Sequence, residues 1–165
     1  QMTATPVVWL ENGTTPATPF AMGSGRIRLD RAVRAGLVMH ETQANFSAAN
    51  PSSGGQEWTL NLPSMARQIC SPSCTFTRTF RNPTPGGILW RASLVGVNGT
   101  VSPALAWIPA GATQAFQVTV DTSGLAVDGS WVFGSLLLEH RVTGLGVDTF
   151  RELRLPVAAR VSTTP

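Results

Sequence analysis

Five segments decide the fold: Thr75-Phe76-Thr77-Arg78-Thr79-Phe80-Arg81-Asn82, Leu89-Trp90-Arg91-Ala92-Ser93-Leu94, Gln114-Ala115-Phe116-Gln117-Val118-Thr119-Val120-Asp121, Trp131-Val132-Phe133-Gly134-Ser135-Leu136-Leu137-Leu138 and Leu155-Pro156-Val157-Ala158. Each is short, and most alternate apolar and polar residues with the two-residue period of a half-buried strand. In Gln114–Asp121 the apolar set reads as Ala115, Val118 and Val120, with Phe116 out of phase. Gly, Pro, Asn, Asp, Ser and Thr punctuate the gaps. Leu136-Leu137-Leu138 is continuous, the pattern of a central strand covered on both faces. Arg151–Val161 supplies a last strand, with Pro156 at an edge or a bulge, and Val142–Thr149 reads as a hairpin loop. The spacing predicts a mainly β chain folded as an antiparallel sandwich of about seven strands. The large side chains Trp90, Trp107, Phe116, Trp131 and Phe133 are expected in its core, each contributing about 1.5–3 kcal/mol when buried.

Composition agrees. The chain has 165 residues, of which 42% are hydrophobic and 13% charged, with 16 Gly and 12 Pro. That apolar content builds a core and argues against disorder. The net charge is +3, and all twelve basic residues are Arg. Only Arg26, Arg28, Arg31 and Arg34 cluster, and at helical spacing they read as a solvated face rather than a phosphate clamp, so no nucleic-acid partner is expected. No apolar run approaches the roughly 20 residues of a membrane span.

The two cysteines, Cys70 and Cys74, enclose Ser-Pro-Ser. Neither a metal site nor a redox motif fits, because soft ligands are few and the Cys-x-x-Cys spacing is missing. A local disulfide is the expected state, and it points to an oxidising compartment.

Upstream, Val7–Leu10 reads as a short strand and Glu11-Asn12-Gly13-Thr14 as a turn. Gly23-Ser24-Gly25 signals close backbone packing or an unusual φ. Arg31–Ala35 predicts one short helix, with Asp30 as its N-cap or first-turn acid and Gly36 as its C′ residue, and with Ala32, Val33 and Leu37 inward. Glu41–Gln56 is polar and rich in small residues, and reads as a linker with some order from Phe46. Trp58-Thr59-Leu60-Asn61-Leu62 alternates and is expected to be the first sandwich strand. No signal peptide is visible, so secretion would require a signal upstream of Gln1.

Several of these stretches carry a resemblance. Pro19-Phe20-Ala21-Met22-Gly23-Ser24-Gly25, the short helix, and Gly36-Leu37-Val38 resemble the end of a subtilase catalytic domain, where a Pro-Phe-x-x-Gly-x-Gly stretch and a Gly-Leu-Val element close the fold. Ala21 departs from the acid more usual there. Leu60-Asn61-Leu62-Pro63-Ser64 resembles the Leu-Asn-x-Pro-Ser opening of the fibronectin type III-like domain that follows it. Thr77-Arg78-Thr79-Phe80-Arg81-Asn82 is similar to that domain's Thr-Arg-Thr-Val-Thr-Asn strand, and Trp90 and Pro109-Ala110-Gly111 fit the same order. The resemblance implies a catalytic-domain remnant at 1–40, a linker at 41–57 and a fibronectin type III-like sandwich at 58–165. It further implies a secreted bacterial serine endopeptidase as the parent. The partners would be the catalytic domain, in the same polypeptide or as a cleaved chain, and the protein substrate.

No catalytic residue is assigned within these 165 residues. The Gly-Thr-Ser-Met-Ala elbow of the family is absent, and Met22-Gly23-Ser24-Gly25 is no substitute for it. His40 and His140 stand outside any motif, and His140 reads as a surface-loop residue. No cofactor or metal ligand is assigned. Asp121 and Asp128 flank a turn, a weak calcium signal, so a structural calcium would belong to the parent protein. Asn12, Asn45 and Asn98 head Asn-x-Ser/Thr triplets that are chance in a bacterial protein. The alternative is a stand-alone secreted fibronectin-like binding or adhesion module, for which residues 1–40 would be a dispensable tail. The two readings divide on whether those residues can be removed without loss of solubility or ligand binding.

Overall fold

A computed structural model describes residues 1–140 and 152–164. Among the described residues eight strands form two sheets packed as a β-sandwich. The strands are β1 (Met65–Arg67), β2 (Ser73–Arg81), β3 (Ile88–Val95), β4 (Gly99–Ser102), β5 (Leu105–Ile108), β6 (Thr113–Asp121), β7 (Trp131–His140) and β8 (Glu152–Arg160). The larger sheet has the order β1-β8-β7-β3-β5 and the smaller β2-β6-β4. Every pairing is antiparallel except that of β1 with β8, which is parallel with Met65 opposite Val157.

Alternation sets the two inner faces. On β2, Phe76 and Phe80 point inward, and on β6 they meet Phe116, Val118 and Val120, all buried. The rings of Phe80 and Phe116 pack edge to face at 5.8 Å. The inward phase of β6 is therefore Phe116-Val118-Val120, and Ala115 is the exposed exception. The expected phase was set by the smaller residue, whereas the benzyl group loses far more on exposure. The larger sheet contributes Trp90, Leu136, Leu138, Leu153, Leu155 and Val157. Pro156 lies on β8 just before the β1 pairing begins, and two residues earlier the Arg154 N–H leaves the sheet for the Met2 carbonyl at 2.8 Å. The proline's missing N–H thus falls where no strand needs it.

Several expectations are corrected. Trp58–Leu62 is not a strand. Glu57–Thr59 forms a 3₁₀ turn, and the first strand begins at Met65. Trp107 is 59% exposed rather than in the core, and Trp131 and Phe133 are half-buried. Among the described residues three short α-helices occur in place of one: α1 (Pro19–Met22), α2 (Leu29–Ala32) and α3 (Gln43–Ala48). Helix α2 ends before Arg34, so Gly36 is not its C′ residue. Ala32 and Val33 face solvent, and only Leu37 of the expected three is buried. Within 41–57 the order comes from caps rather than from Phe46, which is half exposed. The Thr42 hydroxyl accepts from the Asn45 N–H, and the Asn50 side chain accepts from the Ser52 N–H. The hairpin loop expected at Val142–Thr149 lies outside the described residues.

Candidate functional site

Two features of the sandwich invite a functional reading: a polar clamp where the leading segment joins it, and an apolar surface that this segment presents.

The clamp is built around Arg78. Because β2 alternates, Arg78 shares the inward phase of Phe76 and Phe80, and its guanidinium is buried. Its Nε donates to the Leu62 carbonyl at 2.9 Å, and Nη2 to the Ser64 carbonyl at 2.8 Å. Nη1 donates to the carbonyls of Thr77, at 2.8 Å, and Trp58, at 3.3 Å. Burial pulls the Arg78 pKa down to about 10, opposed by the negative charge of Glu41. The side chain stays protonated at neutral pH, so backbone carbonyls replace the water it lost.

Asn61 works beside it. Its carbonyl oxygen accepts from the Thr79 N–H at 2.8 Å, and its amide donates to the Thr79 and His40 carbonyls at 2.8 and 3.1 Å. The Glu41 carboxylate accepts from the Asn61 N–H, the Asn45 amide and the Thr42 N–H. These bonds, the Asn61 N–H first, hold the Glu41 pKa below its usual range. The stretch expected to be a strand is thus tied down by side chains. Leu60-Asn61-Leu62-Pro63-Ser64 and Thr77-Arg78-Thr79, quoted above as separate stretches, form one interlocked unit.

The leading segment is held at four places. Val38 makes an antiparallel bridge to Arg81, with N–H to carbonyl distances of 2.9 and 2.8 Å. Leu37 enters the core. Met2 accepts from Arg154. Phe20 packs edge to face on Trp131 at 4.8 Å and on Phe133 at 5.2 Å, covering the outer side of β7. Gly25, at φ 101°, lies so close to the Thr5 carbonyl that a Cβ there would come within 2.1 Å of its oxygen, which accounts for the Gly-Ser-Gly signal. Asn12 closes the Trp9–Pro16 turn by accepting from the Thr14 and Thr15 N–H groups.

What this segment shows to solvent is apolar. Val7, Trp9, Ile27, Leu29 and Val33 are all more than half exposed, from 53% at Trp9 to 83% at Val33. Between the segment and the sheet lies an open cleft of about 490 Å³, lined by Phe20, Met22, Ile27, Met65, Pro156 and Ala158 among others.

The remaining candidates have ordinary surroundings. Cys70 and Cys74 form the expected disulfide, buried where the chain crosses from β1 to β2. The loop is pinned by the Thr122 hydroxyl on the Cys70 and Pro72 carbonyls and by the Cys70 N–H on the Arg160 carbonyl. His140 is not a loop residue. It ends β7, is buried, and packs against Trp90 at 4.7 Å. His40 is exposed and offers its carbonyl to Asn61. Asp121 and Asp128 each cap their own turn, accepting from the Ser123 and Ser130 N–H groups at 2.9 Å; hydrogen bonding lowers both pKa values, from the Ser123 N–H first for Asp121 and from the Ser130 side chain first for Asp128. Among the described residues no group of three His, Cys, Asp or Glu side chains is gathered as a metal site. Of Arg26, Arg28, Arg31 and Arg34, Arg28 pairs with Asp30 at 2.9 Å on the surface. No described helix is long and apolar enough to cross a membrane.

The sequence matches no protein-family model. The solved structures similar in fold include the following three. The seventh PapD-like domain of human CEP192 is 12% identical over 62% of this chain and 83% of its own, with a TM-score of 0.49. SSP-19, an MSP-domain-like protein of Caenorhabditis elegans, is 10% identical over 59% of this chain and 94% of its own, at 0.44. WR4, an MSP family member of the same organism, is 8% identical over 59% and 92%, at 0.40. At these identities the likeness concerns the β-sandwich alone.

Proposed function

We propose that the chain is the non-catalytic C-terminal region of a secreted bacterial subtilisin-like serine endopeptidase. Residues 1–40 close the catalytic domain, 41–57 link it onward, and 58–165 form a fibronectin type III-like domain that stabilises the protease. The observation that carries this reading is the placement of the exposed apolar side chains. Val7, Trp9, Ile27, Leu29 and Val33 fall within the stretch that resembles the closing part of a catalytic domain, and each is more than half exposed. A segment that completes a neighbouring domain buries such large apolar groups, which otherwise stay in water. Motif order adds support, since the two sandwich stretches that resemble the family bond to each other through Asn61 and Arg78. The disulfide fits an exported protein.

The deciding experiment is peptide sequencing by mass spectrometry of the protein purified from its own cells. Peptides that run from a Gly-Thr-Ser-Met-Ala segment into Gln1, or a copurifying chain that contains one, are the expected result. Gln1 directly following a cleaved signal peptide overturns the protease reading and leaves a free-standing secreted binding module.

A further inference from the structure

The same triplet occurs twice in the chain, as Asn12-Gly13-Thr14 and as Asn98-Gly99-Thr100. In an Asn-Gly step the next backbone nitrogen can attack the side-chain amide, because glycine has no Cβ to shield that nitrogen. The local chemistry of the two triplets is identical, so any difference between them comes from the fold.

At Asn12 both reacting groups are occupied. The Oδ1 atom accepts from the Thr14 and Thr15 N–H groups, and Nδ2 donates to the Thr15 hydroxyl at 2.7 Å. The Gly13 N–H donates to the Leu10 carbonyl at 2.8 Å. At Asn98 both groups are open. Its side chain is exposed, and no described residue bonds to its amide. The Asn98 backbone carbonyl accepts from the Asp121 N–H at 2.9 Å. A trans peptide sets its N–H opposite its C=O, so the Gly99 N–H points away from β6. Gly99 opens β4, the edge of the smaller sheet, whose one strand neighbour among the described residues is β6. Asn98 is thus held by a backbone bond at a strand end, whereas the Asn12 step is locked through its side chain and through the attacking nitrogen.

We propose that Asn98 is a site of spontaneous deamidation selected by the fold, with water as the co-reactant, while Asn12 is protected. The Gly99 nitrogen gives up its proton and bonds to the Asn98 Cγ. The Cγ–Nδ2 bond breaks, and Nδ2 leaves as ammonia with that proton. Water then opens the cyclic imide. Cleavage between the nitrogen and Cγ gives aspartate, and cleavage between the nitrogen and the former backbone carbonyl carbon gives isoaspartate. In both cases the nitrogen regains a proton from the water. The product carries a negative charge beside Asp121, which bonds to Asn98 across the ladder and lines the same open pocket of about 310 Å³. Like charges across a ladder weaken it, and β4 has no second strand to hold it, so deamidation loosens this edge. The inference does not rest on the protease reading.

The test is a timed incubation of the intact 165-residue chain in mildly alkaline buffer. Cleavage after arginine then puts Asn12 in the peptide 1–26 and Asn98 in the peptide 92–141. The amide-to-acid mass gain is read on each peptide and located by fragmentation. In the folded chain the gain at Asn98 is expected to appear faster than at Asn12 by about tenfold or more, since breaking even one good hydrogen bond before reaction slows it by about that factor. In denaturant the two rates are expected to converge. Asn98→Asp supplies the product's charge directly. It is expected to speed hydrogen exchange about two- to fivefold at Thr100 and Ser102, the register partners of Thr119 and Gln117, and Asp121→Asn is expected to cancel that effect. Equal rates in the folded chain, a faster reaction at Asn12, or a gain at Asn98 confined to denaturant overturns the proposal. Rates that stay apart in denaturant overturn the assignment to the fold. Unchanged exchange at Thr100 and Ser102 in Asn98→Asp overturns the loosening of β4.

Discussion

At the residue scale Arg78 sets the terms. A guanidinium in an apolar interior is unfavourable unless its donors are met, and here four carbonyls meet them. Arg78→Ala strands the Leu62 and Ser64 carbonyls and is expected to cost about 3 kcal/mol or more in denaturant unfolding. Arg78→Lys, with donors on a single point, recovers only part of this. Asn61 holds the same stretch from the other side, so Asn61→Ala combined with Arg78→Ala is expected to depart from additivity by more than about 0.5 kcal/mol. Strict additivity would show that the two act separately. Glu41 brings a pH dependence. Its pKa is lowered in the folded chain, chiefly by the Asn61 N–H, so its contribution is present in full above the ordinary glutamate value and disappears as pH falls through the lower, folded one. Glu41→Gln should therefore lower the melting temperature at neutral pH, with the gap to wild type closing below about pH 4. A gap independent of pH would assign the effect to shape rather than charge. Part of this clamp was legible beforehand. With Phe76 and Phe80 inward, the period of two forces Arg78 inward as well. The partners were not legible, because backbone carbonyls leave no mark in a sequence.

At the scale of elements, strands with period two and large side chains were readable, and those marked by small ones were not. β2, β3, β6, β7 and β8 follow from alternation, and the Leu136–Leu138 run does mark a strand flanked by β3 and β8. β1 has three residues and pairs in parallel, a signal too short to register. Trp58–Leu62 alternates as a strand does, but its carbonyls and the Asn61 amide are taken up by Arg78 and Thr79, so no edge is left to pair. β5 alternates too, yet its exposed phase carries Leu105 and Trp107, which inverts the usual rule and hides the open edge. The disulfide sits at the crossing from β1 to β2, in a loop bonded to β6 and β8 at their ends. Closing so short a loop limits the unfolded chain modestly, so Cys70→Ala with Cys74→Ala is expected to cost about 2 kcal/mol. The far ends of β6 and β8 should loosen first, visible as faster hydrogen exchange at Thr122 and Val161. Uniform loosening of both sheets would place the effect in the unfolded state alone.

At the scale of the molecule, stability and exposure lie in different places. Leu138 is fully buried between the sheets, and Leu138→Ala is expected to cost about 2–5 kcal/mol. Val33 and Ile27 rank among the most exposed apolar residues of the described chain and stabilise the sandwich little, since water already surrounds them. With Val7, Trp9 and Leu29 they leave large apolar side chains in water, which favours association when nothing covers them. The intact chain is therefore expected to self-associate in sedimentation velocity at rising concentration. The pair Ile27→Asp and Val33→Asp is expected to return it to monomer with a stability change within about 0.5 kcal/mol, the range for surface positions. Deleting residues 1–34 removes these side chains but also uncovers Trp131 and Phe133, on which Phe20 packs, whereas deleting 1–40 also removes Leu37 from the core and breaks the Val38–Arg81 bridge, at a cost of about 2 kcal/mol or more. That contrast separates the two roles of the leading segment. Leu37 and Val38 are built into the sandwich, whereas Val7, Trp9, Ile27, Leu29 and Val33 are exposed. A chain that stays monomeric at high concentration with Ile27 and Val33 intact would show that this surface is tolerated in water, and the main physical support for a covering domain would fall with it.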